Sequence, residues 1–270
     1  MKIFSANISQ IGLLFSLIVF LSGCHEEDFS DIDRYKLSHI TSTYTATKYT
    51  IHIRYPENFD TSKAYHILYL LDGNAYFREV SDLIESLQAT DVVVIGIDYV
   101  NQNKRERDFS FPRDPNYSSS GGANQFVLFL KDELLPYIEN QLHIQTREAT
   151  LFGHSLGGYF SMYMMLQPTT GTPFDHIICA SPSLWWADGY IFDMEEQYHL
   201  SHGSLKVSLY MSMGDLEGVT MNTFFQAFTR KLGSRNYKDF SFDFEQLKNI
   251  SHKNSPIVSF EKGFSFIRKK

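Results

Sequence analysis

The stretch ATLFGHSLGGYFSMY, Ala149 to Tyr163, decides how the rest of the chain is read. A short apolar run leads into Gly153-His154-Ser155-Leu156-Gly157-Gly158, and apolar residues at helical spacing follow. G-x-S-x-G between a strand and a helix has the form of a nucleophile elbow, which exposes a serine at a sharp, strained turn. The pattern therefore names a reactive atom, Ser155 Oγ. It also names an oxyanion donor, the Leu156 N–H, because the free N–H groups and positive dipole end of a helix start favour developing negative charge.

A serine hydroxyl is a weak nucleophile at neutral pH unless a base removes its proton as it attacks. Folds that present serine on such a turn order the chain as nucleophile, acid, histidine. Of the ten histidines, only His252 lies beyond every plausible acid, in the polar loop Asn249–Asn254. His154 adjoins Ser155, but adjacent side chains at a sharp turn point apart, so it is a poor base. Activity is expected to rise as His252 loses its proton. The acid that holds this imidazole in its tautomer falls in Ser212-Met213-Gly214-Asp215-Leu216-Glu217. Asp215 and Glu217 both follow a strand end; Glu217 is preferred, because Asp215 sits in the tighter turn. A second oxyanion donor is expected from Leu71-Asp72-Gly73-Asn74, as the Asn74 N–H, with Gly73 permitting the turn.

Working outward, Tyr49–Tyr55 alternates and reads as a strand of antiparallel character. Tyr65–Leu71 and Asp91–Ile97 are almost continuously apolar, as strands buried on both faces must be. Helical spacing covers Ala75–Gln88, Gln125–Leu142 and Val219–Leu232, and Ser255-Pro256 opens a last helix. Further strands are His176–Ala180, Leu205–Met211 and Phe240–Leu247, with Trp185 and Trp186 in a loop after the first of these. Asn101–Gly122 reads as a long polar surface loop. Strands alternating with helices predict a single α/β domain, its mostly parallel sheet covered on both faces.

The N-terminus carries Lys2 and an apolar run, Ile11–Leu21, too short for a confident membrane span. It ends in Leu21-Ser22-Gly23-Cys24, which resembles the lipobox of bacterial lipoproteins. Residues 1–23 are then a signal peptide, Cys24 carries lipid, 24–40 is an acidic tether and 41–270 the folded domain. An exported, membrane-anchored lipoprotein is expected. By resemblance to sorting signals, the lack of an acidic residue directly after Cys24 favours the periplasmic face of the outer membrane. Cys179 reads as a buried, inert strand residue without a disulfide partner. A net charge of −7 with no basic block argues against nucleic acid as a partner.

Taken together, LYLLDGNAYF (68–77), RERDFSFP (105–112), LFGHSLGGYF (151–160), ASPSLWW (180–186), MGDLEG (213–218) and SHKNSP (251–256) resemble the esterase D-like branch of the α/β-hydrolases. That branch includes bacterial esterases that open ferric enterobactin, salmochelin and bacillibactin. The resemblance implies an α/β-hydrolase fold without a large cap domain. It implies Ser155 as nucleophile, His252 as base, Glu217 as acid, and the Asn74 and Leu156 amides as the oxyanion hole. Arg78 and Arg105 become candidates for meeting an anionic substrate, and Trp185 and Trp186 for an aromatic wall, with one of the two tryptophans expected in the core. The expected activity is cofactor-free and metal-free hydrolysis of a small-molecule ester through an acyl-enzyme, on a siderophore lactone or another bulky ester. Acyl transfer on the same scaffold, and an inactive surface-binding lipoprotein, are the alternatives.

Overall fold

The computed structural model describes residues 34–168 and 171–269. Cys24, the segment read as a signal peptide and most of the stretch read as a tether lie outside the described residues. Eight strands among those described form one sheet: β1 (Tyr35–Thr41), β2 (Lys48–Arg54), β3 (Ala64–Leu70), β4 (Val92–Tyr99), β5 (Gln145–His154), β6 (His176–Ala180), β7 (Ser204–Gly214) and β8 (Lys238–Leu247). Their order is β1-β2-β4-β3-β5-β6-β7-β8. β1 and β2, and β2 and β4, pair antiparallel. All later neighbours pair parallel. The helices are α1 (Gly73–Ser86), α2 (Arg105–Asp108), α3 (Ala123–Leu128), α4 (Leu135–Asn140), α5 (Leu156–Met165), α6 (Trp186–Ser201), α7 (Gly218–Gly233) and α8 (Ser255–Arg268).

Period-two alternation inside the apolar runs explains why they are continuous. Leu68, Leu70, Val92, Val94, Phe152 and Ile178 join Val80 and Ile84 of α1 and Phe260 and Phe264 of α8 in one core layer. Their neighbours Ile67, Tyr69, Val93, Ile95, Leu151 and Ile177 enter the larger layer with Phe126, Phe160 and Phe228 from α3, α5 and α7. Both faces of the central strands are therefore dry. Because β3, β5, β6, β7 and β8 run parallel, the segments following them all emerge at one end of the sheet, where ligand sites of open α/β sheets gather.

Three elements differ from the sequence reading. β1 lies within the stretch read as tether, so the folded domain includes Tyr35 rather than starting at residue 41. As an edge strand with mostly exposed, polar residues it carries no apolar alternation to detect. α6 starts at the second tryptophan and occupies sequence that shows no clean apolar stripe. Its start is kinked by left-handed Ala187, Asp188 and Gly189, and its inner face holds Glu195, fully buried and bound by Arg235 at 3.0 and 2.9 Å and by the Tyr237 hydroxyl at 2.8 Å. The helix read over 125–142 is split by a π-helical stretch, Phe129–Leu134, just before Pro136, whose ring and missing N–H disfavour a regular turn there.

At the other end of the sheet, buried His66 bonds Thr150 Oγ1 through Nε2 at 2.7 Å. Burial, aided by nearby His176 and Arg268, pushes its imidazole down from 6.5 to about 3, despite the opposing charge of Asp91. The unfolded chain therefore takes up a proton that the folded chain refuses, so stability is present above pH 6.5 and is lost as pH falls from there toward 3. Urea midpoints between pH 7 and pH 4 should fall less in His66→Gln than in the wild type. Equal slopes would refute His66 as a source of acid sensitivity.

Candidate active site

Ser155 stands between β5 and α5 at φ 58° and ψ −117°. A non-glycine residue held in such a region typically costs about 1–3 kcal/mol and persists only where its surroundings enforce it. Here its N–H donates to Ala180 C=O, and its own C=O accepts from the N–H groups of Tyr159 and Ser183, each at 3.0 Å. Gly153 is required sterically: a Cβ there would lie 2.2 Å from Gly157 O and 2.6 Å from Ser161 Oγ. The Ser155 hydroxyl has a partner that sequence reasoning missed, Ser183 Oγ at 3.3 Å.

His252, between β8 and α8, faces the acid expected from chain order. Its Nδ1 lies 2.7 Å from Glu217 Oε2. The Glu217 carboxylate is fully buried, and its other oxygen accepts from the Ser181 hydroxyl at 2.5 Å and from the Gly214 N–H at 2.6 Å. Three donors to one carboxylate fix its orientation. Asp215 is exposed, and only its backbone is engaged in this turn. The His252 ring lies against His154 of the elbow, centroids 4.4 Å apart, and its side chain is 41% exposed, so this end of the sheet opens to solvent. Among the described residues no hydrogen bond joins Ser155 to His252; bonds of this kind often tighten only around a substrate.

Leu156 is the first residue of α5 and Asn74 the second of α1, so both N–H groups belong to first turns that lack helical acceptors. The two helix starts adjoin: Leu71 N–H donates to Phe152 C=O at 3.0 Å, and a Cβ on Gly157 would sit 3.5 Å from the Asp72 carboxylate. Asp72 turns the chain into α1 through a left-handed conformation, φ 54°. Its carboxylate is clasped by Arg105 at 2.9 and 3.1 Å, a bidentate pair that fixes the turn. The arrangement unites, at one end of the sheet, a half-buried hydroxyl on a strained turn, a carboxylate-braced imidazole and two helix starts.

The family model Esterase, described as "Putative esterase", matches residues 42–239. The chain belongs to the Esterase family. It is similar to ferri-bacillibactin esterase BesA of Bacillus subtilis, 27% identical over 192 residues, 63% of this chain and 66% of that one. It is also similar to a siderophore enterobactin esterase of Emericella nidulans, 30% identical over 166 residues, 51% of this chain and 54% of that one. The chain spans about half to two thirds of the length of these curated relatives. The crystal structure of the BES protein from Bacillus cereus shares the fold, with TM-score 0.79, 23% identity, and coverage of 97% of this chain and 99% of that one.

Within this member of the Esterase family, the residues proposed for substrate contact separate. Arg78 is exposed on α1 and forms no ion pair among the described residues. Arg105 is part-exposed and gives two of its nitrogens to Asp72, a partner 33 positions away that no local pairing rule would find. Trp186 is the core member of the tryptophan pair, which corrects its place in the aromatic wall. It is 1% exposed, donates from Nε1 to Pro112 C=O at 3.1 Å and packs on Tyr117, so it belongs to the core. Trp185, half-buried beside it, keeps access to solvent. Cys179 is buried, its thiol pushed well above the ordinary range by burial.

Proposed function

We propose that this chain is a serine carboxylic ester hydrolase working through Ser155, His252 and Glu217. The observation that carries the reading is a strained, half-buried elbow serine at the same end of the sheet as an imidazole whose Nδ1 is bound to a buried carboxylate. With Nδ1–H donating to Glu217, the other ring nitrogen, Nε2, is left unprotonated to act as the base. Ser155 Oγ forms a bond to the ester carbonyl carbon as its proton passes to His252 Nε2. Glu217 stabilises the resulting imidazolium, and the Leu156 and Asn74 N–H groups stabilise the oxyanion, each such donor typically contributing about 3–4 kcal/mol. Collapse breaks the ester C–O bond, and His252 returns its proton to the leaving alkoxide. Water then attacks the acyl-enzyme by the same route, releasing the acid and restoring the serine.

The substrate class we propose is a siderophore lactone, supported by relatives named for such esters. Incubation with ferric and iron-free catecholate trilactones should yield products that gain the mass of one water per ester cleaved. Intact lactone after prolonged exposure, with simple aryl esters still hydrolysed, would remove the substrate assignment and leave the esterase reading standing.

A further inference from the structure

His154 occupies the variable position of the elbow, and the mechanism above gives it no task. Its imidazole is nonetheless engaged at both nitrogens. Nε2 lies 3.0 Å from the His252 carbonyl oxygen, and Nδ1 lies 2.9 Å from the Tyr76 hydroxyl. A carbonyl only accepts, so Nε2 carries the hydrogen and donates it, and Nδ1 accepts from the Tyr76 O–H. The Ser255 hydroxyl reaches the same carbonyl at 3.1 Å. The backbone of His252 is thus tied to β5 on one side and α8 on the other, separately from the Glu217 contact to its ring.

The charge environment keeps this arrangement in one form. Tyr76 from α1, His252 from the following loop, and Arg105 with its partner Asp72 face the His154 ring. Burial, then the positive charges of His252 and Arg105, push His154 from 6.5 down to about 3, outweighing the bond to the His252 carbonyl. It therefore stays neutral while His252 cycles through imidazolium, and adds no repelling charge at a centroid distance of 4.4 Å.

We propose that His154 is a positioning residue for the base: its Nε2–H holds the His252 main chain, and the Tyr76 hydroxyl fixes the tautomer that makes this possible. The inference rests on the reading of Ser155 and His252 as nucleophile and base. It is tested with His154→Ala, His154→Gln and Tyr76→Phe, by aryl-ester kinetics across pH and by covalent fluorophosphonate labelling to count competent sites. His154→Ala should lower kcat by about 10–100-fold with KM nearly unchanged, the expected cost of a loosened catalytic group.

Glutamine can offer an amide N–H to the carbonyl and an amide oxygen to Tyr76, so His154→Gln should recover most of the lost rate. Tyr76→Phe removes only the tautomer lock and should lower kcat about threefold, on the scale of one neutral hydrogen bond. Retention of kcat in His154→Ala would overturn the proposal. So would equal losses in the alanine and glutamine variants when both label fully and melt like the wild type. If wild-type protein neither hydrolyses ester nor labels at Ser155, the underlying reading fails first and this inference falls with it.

Discussion

Ser155→Ala should abolish ester hydrolysis, lowering kcat by about 10⁶-fold, as loss of a nucleophile does where covalent and general-base catalysis act as one unit. The size follows from what is removed. No other described hydroxyl stands in the left-handed elbow conformation between β5 and α5, next to the Leu156 N–H and at the end of the sheet that also holds the His252–Glu217 pair. Ser183, 3.3 Å away, is a poor substitute: it is buried, and its N–H is committed to the Ser155 carbonyl. The fold should survive the change. Alanine retains the Cβ and the same backbone demand, and the Ser183 hydroxyl loses one weak partner, a cost of about 1 kcal/mol. Aryl-ester turnover and fluorophosphonate labelling, measured beside melting curves, separate the two effects. Comparable turnover by wild type and variant would end the case for Ser155 as nucleophile.

How much of this was legible depends on whether a feature is carried by rare residue types in a fixed order or by common ones meeting across the chain. Ser155, Glu217 and His252 stood out because an elbow serine demands a later acid and a still later histidine, and few residues satisfy that order. The central strands were legible because burial on both faces forces continuous apolar runs such as Tyr65–Leu71. The hydroxyls of Ser181, Ser183 and Ser255 were not, although they bond Glu217, Ser155 and the His252 carbonyl respectively. Serine is frequent in loops, and only the S-x-S after a strand end, Ser181-Pro182-Ser183, hinted at them. The Asp72–Arg105 pair joins two turns whose proximity is a property of the sheet order, and it gives an arginine read as substrate-facing a structural partner as well. Which of the two tryptophans is core was not legible, because a tryptophan in a loop and one that starts a kinked helix look alike in sequence.

Glu217→Gln should lower kcat by about 10⁴-fold while the protein folds normally, through the tautomer of His252 rather than through lost contact. The carboxylate accepts on both oxygens: Oε1 from Gly214 N–H and Ser181 Oγ–H, Oε2 from His252 Nδ1–H. A glutamine has one oxygen and one NH₂. The Gly214 N–H is a fixed backbone donor 2.6 Å away, so the amide oxygen must remain on that side and the NH₂ must turn toward His252. Nδ1 then has to accept, which moves the ring hydrogen to Nε2, the nitrogen that should take the serine proton. Glu217→Ala differs in kind. It leaves Gly214 N–H buried without its acceptor, at about 1–3 kcal/mol for an unsatisfied group, so it should lower both stability and rate. Glutamine and alanine variants compared by kcat and by urea midpoint therefore distinguish tautomer control from bracing of the turn. If Glu217→Gln keeps its rate within about tenfold of the wild type, well short of the loss expected for a reversed tautomer, the carboxylate is not setting the ring. The orientation of His252 would then have to come from the main-chain bonds to its carbonyl from His154 and Ser255.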